Sequence, residues 1–539
     1  MVDTVTNEFA TAPAKSEQTP VAFSDADGCS RWLRGLQASN IPAHYSAILG
    51  QLLRMSETEC APRERARIAE VLREPVAFLH TELARRYAGK PQPATERECD
   101  AAEQALALWH ALWNQYSACL KPLLEGEPEL QGVKAKLLQR GLWVGKQLLV
   151  VYGLARRLPA PDVWQELHAY YRLAEILECA ITAVSDELMP TAVGVSCYTT
   201  YVHALLLELA DPCAMTVRQI ELADRWLTMW SRKVFPYAQE RETEGPVIVM
   251  DLDASYGATL VPPGSQSAGE SIRFGYPAKL ATSVRGRLRR LAAGANPAEL
   301  QLGHDVSVEA CAALLAHLDS RWYAPLRKRT TQAATSLELC VGGLAAAYFR
   351  IACRTFQRQN APEQLSYQSA QRLATLGPVT NYDRNREEAE RTWVWERWNG
   401  SVDCDEARLN HAGGGRHRWH LEQLVIVRED ERLCCGYVTR VALEGERALS
   451  ITLRLWPGTP SAFAAHPVMM THSEDAPIPA ILLDSSADEK ACAIVPPRTF
   501  NAGRVLRLPG SANERRLRLT RLAQRGADFE RVIFEEMRT

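Results

Sequence analysis

The chain has 539 residues, 46% of them hydrophobic and 23% charged, and a formal net charge of -2. That length exceeds one ordinary core and predicts three or four domains at roughly 150 residues each. The near-neutral balance excludes bulk attraction to nucleic acid or to an anionic membrane and leaves only local basic runs such as "RGRLRRL". Fourteen cysteines without a C-x-x-C pair exclude a zinc ribbon and fit buried reduced thiols.

In chain order, residues 1–22 read as a flexible tail that lacks the apolar core of a secretory signal. No run reaches the length of a membrane span, so no membrane segment and a cytoplasmic location are expected. Residues 23–242 are helical text. In "PDVWQELHAYYRLAEILECAI", Trp164, Leu167, Tyr171, Ala174 and Ile181 fall at three- and four-residue steps, with Asp162 placed to cap the start. "TVRQIELADRWLTMWSRKVFP" pairs Thr216 with Gln219 as a capping box and puts Ile220, Ala223, Leu227, Trp230 and Val234 on one stripe. Burying those tryptophans needs helix-on-helix packing, and such a domain is expected to offer a surface to protein partners.

After Pro236 the pattern becomes mixed α/β over 243–330. Residues 331–473 read as a small β-barrel, starting with the alternation of Leu337, Leu339 and Val341 and interrupted by an inserted helix and an exposed linker over 344–390. Trp393 and Trp395 share one face of an expected strand and Trp398 lies on the other, ahead of Asn399-Gly400, a common turn dipeptide. "LSITLRLW" alternates Leu449, Ile451, Leu453 and Leu455 against Ser450, Thr452, Arg454 and Trp456. Residues 474–539 hold a second set of short strands from "PAILLD" to "DFERVIFEEM", a C-terminal β-module.

Signals for enzyme chemistry are incomplete. "VIVMDLDASYG" resembles the opening Asp-x-Asp of haloacid-dehalogenase-type phosphotransferases, with Asp251 as nucleophile and Asp253 as proton donor around Mg²⁺, but no later strand supplies the metal-holding acid pair. "RGLWVGKQL" carries Arg140 and Gln147 where a P-loop needs Gly and Ser or Thr. His411, His417 and His420 crowd a glycine-rich loop without a thiol or carboxylate at zinc spacing. The reading is therefore no enzyme, no catalytic residue, no metal and no cofactor.

The order of elements from residue 320 onward resembles a PilZ-type domain, a bacterial receptor module for cyclic di-GMP. In that family an arginine-bearing loop precedes the first strand of a six-stranded barrel, and a [D/N]-x-S-x-x-G segment follows it. Here Arg327 and Arg329 precede the strand "SLELCVGG", without the R-x-x-x-R spacing, while Arg384, Arg386 and Arg391 leave too little chain for a strand between the motifs. Asn399 and Ser401 match the second motif, and Cys404 stands where its glycine belongs. The resemblance implies that Arg327 and Arg329 hold phosphate or guanine and that Asn399 and Ser401 contact the bases.

The expected architecture is α+β and multidomain: an all-helical N-terminal region, a PilZ-like small β-barrel and a second small β-module. The expected role is a bacterial regulatory protein that binds cyclic di-GMP weakly, or has lost it, and acts through protein partners, with no DNA among them. The alternatives are a scaffold without nucleotide ligand and a Mg-dependent phosphatase of the haloacid-dehalogenase type.

Overall fold

The computed structural model describes residues 21–37, 39–189, 194–265, 269–323, 335–356, 388–403, 405–445, 447–468, 476–484, 490–508 and 515–537. The expected tail and linker lie largely outside these residues, as do Arg327, Arg329, Arg384, Arg386 and Cys404. The chain divides into two compact units, residues 1–90 with 94–328 and residues 91–93 with 329–539.

The first unit opens with α1 (Ala26–Arg34), whose N-cap Asp25 accepts from the Gly28 amide at 2.6 Å. There follow α2 (Ile41–Glu57), α3 (Pro62–Tyr87) and α4 (Glu96–Ser117). Two short turns, α5 (Leu120–Leu124) and α6 (Pro128–Gln131), lead to α7 (Lys134–Leu154), α8 (Pro161–Ile176), α9 (Cys197–Leu209) and α10 (Val217–Trp230). Most of α7 is buried on all its faces, as a helix with little amphipathic contrast must be. Its glycines admit close neighbours: a Cβ on Gly141 would lie 2.0 Å from the Tyr170 ring, and one on Gly145 would lie 2.6 Å from Leu167. The Gly-Lys text that fails as a P-loop is thus helix-packing text.

The Thr216 box forms, with Gln219 accepting from the Thr216 amide at 2.8 Å, and all five residues of its stripe are buried. Two expectations on α8 are corrected. Asp162 is not the cap: Ala160 holds that position, Pro161 opens the helix, and Asp162 sits in the first turn, where its charge complements the positive end of the helix. Ile181 lies beyond the end of α8 and is 66% exposed, because the stripe cannot continue once the helix stops at Ile176.

The same unit contains β1 (Val247–Asp251), β2 (Thr259–Val261) and β3 (Ile272–Gly275), an antiparallel sheet in the order β2-β1-β3. It also contains α11 (Ala278–Ala292) and α12 (Val308–Tyr323). Leu252, Leu280, Leu314 and Trp322 join the core of the preceding helices.

The second unit consists mainly of two closed six-stranded barrels. The first uses β4 (Thr335–Cys340), β5 (Glu396–Asp403), β6 (Glu406–His411), β7 (Leu424–Glu429), β8 (Arg432–Glu444) and β9 (Ala448–Leu455), in the order β4-β5-β6-β9-β8-β7. The second uses β10 (Pro460–Val468), β11 (Ile478–Leu483), β12 (Cys492–Val495), β13 (Val505–Leu508), β14 (Arg515–Arg525) and β15 (Glu530–Met537), in the order β10-β11-β12-β15-β14-β13. Numbered within each barrel, the two orders are the same, so one topology occurs twice. Closure removes exposed strand edges.

β10 falls within the 331–473 segment but belongs to the second barrel, pairing with β11 and β13. "PSAFAAHPV" carries no branched aliphatic before its last residue and so gives little strand signal. Between the barrels lies α13 (Gly343–Ala352), whose Leu344 and Ala347 pack with Ile426, Cys435, Trp456, Ile481 and Phe529.

Candidate functional site

The first barrel sets its site by strand alternation. Trp398, Ala407, Leu409, Ile451 and Leu453 point inward and are buried. Their neighbours Asn399, Arg408 and Asn410 point outward and are exposed, and Ser401 and Thr452 are half-buried beside them. The register then fixes which polar groups adjoin. Ser336, Asn399, Asn410 and Ser450 face one another across four strands, and Ser401, Arg408 and Thr452 form the next row, which Arg440 of β8 extends. Arg408 is steadied by Glu406, its Nε donating to Glu406 Oε1 at 2.6 Å.

Gly400 is where the expected turn is corrected. It lies within β5, and the hairpin turn follows Asp403. A Cβ on Gly400 would stand 1.9 Å from the Arg408 carbonyl oxygen and 2.9 Å from the Leu409 Cα, so the glycine permits close strand approach rather than reversal of the chain.

The tryptophan cluster is also corrected. β5 begins only at Glu396, so Trp393 and Trp395 precede the strand. Trp393 packs on Phe349 of α13 with ring centroids 5.6 Å apart, and the Arg428 guanidinium lies 4.5 Å from the Trp395 ring. Only Trp398 enters the barrel, meeting Trp419 edge-on at 5.1 Å.

The histidine loop organises backbone. His411 Nδ1 accepts from the Gly413 and Gly415 amides at 3.2 and 3.0 Å, and the buried Glu396 carboxylate accepts from the Arg416 and His417 amides. Gly415 has φ +75, the left-handed region open to glycine. Among the described residues no group of three or more His, Cys, Asp or Glu could hold a metal ion. Asp251 accepts from the Asp253 amide at 3.1 Å and Asp253 pairs with Arg172, at the end of an antiparallel strand. No described helix is long and apolar enough to cross a membrane.

Of the four residues expected to bind ligand, Asn399 and Ser401 stand on the outer face of β5, and Arg327 and Arg329 lie outside the described residues. Arg391 is exposed in the short helical turn before Trp393. Motif reading does not single out Arg408; its signal is the alternation in "EARLNH", which sets Arg408 on the same face as Ser401. The arrangement offers two guanidinium groups, those of Arg408 and Arg440, and several amide and hydroxyl groups to a flat polar ligand.

Residues 27–237 match the family model described as "Cyclic-di-GMP receptor FimW, N-terminal domain". No curated protein and no solved structure matches the chain. The match falls on the helices α1 to α10 and not on the barrel whose motifs resemble PilZ. Over its helical region the chain is therefore similar to the N-terminal domain of a cyclic di-GMP receptor, in agreement with a receptor-like protein.

Proposed function

We propose that the chain is a cyclic di-GMP-responsive regulatory protein whose first barrel is a PilZ-type module and whose helices present a surface to protein partners. The outer face of β5, β6 and β9 is the ligand platform, with Asn399 and Ser401 toward the bases, and Arg327 and Arg329 supply guanidinium groups from the segment ahead of β4. One observation carries this reading: the start of β4 pairs with the motif itself, Thr335 with Gly400 and Ser336 with Asn399. Arg329 is tied to that pair by a stretch of chain spanning at most about 20 Å. Bidentate guanidinium contacts to phosphate or to guanine O6 and N7 supply both charge and shape recognition. Cys404 in the glycine position reduces close approach and predicts weak affinity.

Calorimetry with the full chain tests the proposal. Heat of binding with a dissociation constant of roughly 1–100 µM is expected, weakened about tenfold by Ser401→Ala with Arg408→Ala. No heat at roughly 100 µM dinucleotide would remove the sensing role and leave a partner-binding module.

A further inference from the structure

The helical unit contains a cleft of about 380 Å³ between α1, α3, α4 and the start of α7. That volume lies in the range of small-molecule sites. Its walls divide by chemistry. Ala66, Val71, Val133 and Leu137 make an apolar side, and Arg63, Arg67, Lys136 and Arg140 bring positive charge.

The floor is a fixed ion cluster. Arg140 donates to both Glu70 oxygens and to Asp186, Arg73 donates to the same two acids, and Tyr116 donates to Glu70 at 3.3 Å. Burial alone would raise the Glu70 pKa, but Arg140, Arg73 and Lys136 together hold it down at about 2, so Glu70 stays charged at every ordinary pH. Arg67 is matched by Glu64 at 2.9 Å. Among the lining residues and their ion-pair partners, five cations (Arg63, Arg67, Arg73, Lys136, Arg140) stand against four carboxylates (Asp27, Glu64, Glu70, Asp186). The surplus is at the rim. The Arg63 guanidinium makes no ion pair or hydrogen bond among the described residues, and Lys136 makes one contact, to Glu70 at 3.1 Å. The N-terminus of α7 opens here through Val133, with neither a side-chain cap nor an acid in its first turn, and adds a positive dipole end.

We propose that this cleft binds a small organic anion, a single carboxylate or phosphate on an apolar body, with Arg63 and Lys136 clamping the anion and Val71, Val133 and Leu137 covering the body. The site is built from residues of the helical unit alone.

The test uses the full chain with phenyl phosphate, benzoate and benzyl alcohol as probes, read by ligand-observed NMR and by calorimetry. Phenyl phosphate or benzoate is expected to bind at millimolar concentration or tighter, and the stronger of the two identifies the anion. Benzyl alcohol is expected to bind at least tenfold more weakly, and Arg63→Gln with Lys136→Gln to cost the anion about tenfold. Both positions are exposed, so unchanged circular dichroism will certify the fold of the variant. Binding of neither anion at about 5 mM, equal binding of the alcohol, or full binding by the folded double variant each overturns the proposal. Cyclic di-GMP titrations of the same variant should match the parent, which separates this site from the barrel.

Discussion

Gly400→Ala examines the fold and the site at once. The added Cβ would lie 1.9 Å from the Arg408 carbonyl oxygen, a backbone atom that cannot rotate away. Carbon to oxygen contacts in sheets run near 3.3 Å, so β5 and β6 must part by about 1.4 Å. A separation of that size takes ladder bonds near 2.9 Å past the limit of about 3.5 Å. Losing two such bonds at about 1 kcal/mol each, with about 1 kcal/mol of residual strain, gives roughly 3 kcal/mol. The same movement draws Ser401 away from Arg408. Hydrogen exchange by mass spectrometry over residues 396–411 should show opening of this hairpin made easier by that amount, with the helical unit unchanged. Gly413→Ala is the control, since its Cβ would meet the His411 ring at an ordinary 3.6 Å. Protection in Gly400→Ala within about 0.5 kcal/mol of the parent would refute the close approach of the two strands.

Arg140→Met leaves Asp186, with a fully buried side chain, short of a partner and should destabilise the helical unit by about 3–5 kcal/mol in urea melts followed by far-ultraviolet circular dichroism; a loss below about 1 kcal/mol would contradict the ion cluster. Stability should also decline as the pH rises from about 6.5 to about 8. Burial raises Glu166 to about 7 against the Ser117 bond and raises Glu208 to about 8, so each folded carboxyl retains a proton that the unfolded one, near 4.3, has lost. Their contribution is complete below about pH 4.3 and is lost as the pH rises from there through those values, and Glu166→Gln with Glu208→Gln should flatten the part of a melting-temperature profile above about pH 6.5. Below about pH 6.5 two histidines oppose this slope: burial lowers His80 and His168 to about 4, with Trp109 donating to His80 and Tyr201 to His168, so their contribution is lost as the pH drops and the unfolded imidazoles take up protons first, which offsets the gain from the two glutamates. A profile that stays flat from pH 6.5 to 8.5 in the parent chain would contradict the burial of the two glutamates.

Much of this was legible along the chain. Three-to-four-residue steps named the buried face of α10 through Ile220, Ala223, Leu227 and Trp230, because a helix repeats its orientation every 3.6 residues whatever it packs against. Period two did the same for Leu449, Ile451 and Leu453 of β9. Local sequence also fixed the Thr216 cap. These are short-range properties, and each is decided within one or two turns or a single strand. What periodicity could not settle was which strands meet. Pro460–Val468 was assigned to the second barrel by pairing with β11 and β13, since its own residues carry little strand preference. The Asn399-Gly400 pair has the composition of a turn, and only the nearness of the Arg408 carbonyl requires a glycine in mid-strand. Likewise, Arg408 came to lie beside Ser401 through the β5–β6 register, and the cleft of Arg63 and Lys136 arose where helices distant in sequence converge. Sequence determined the faces of the elements, because orientation is a local steric matter; tertiary structure decided which faces came together, because pairing and packing are contacts between residues that the chain itself keeps far apart.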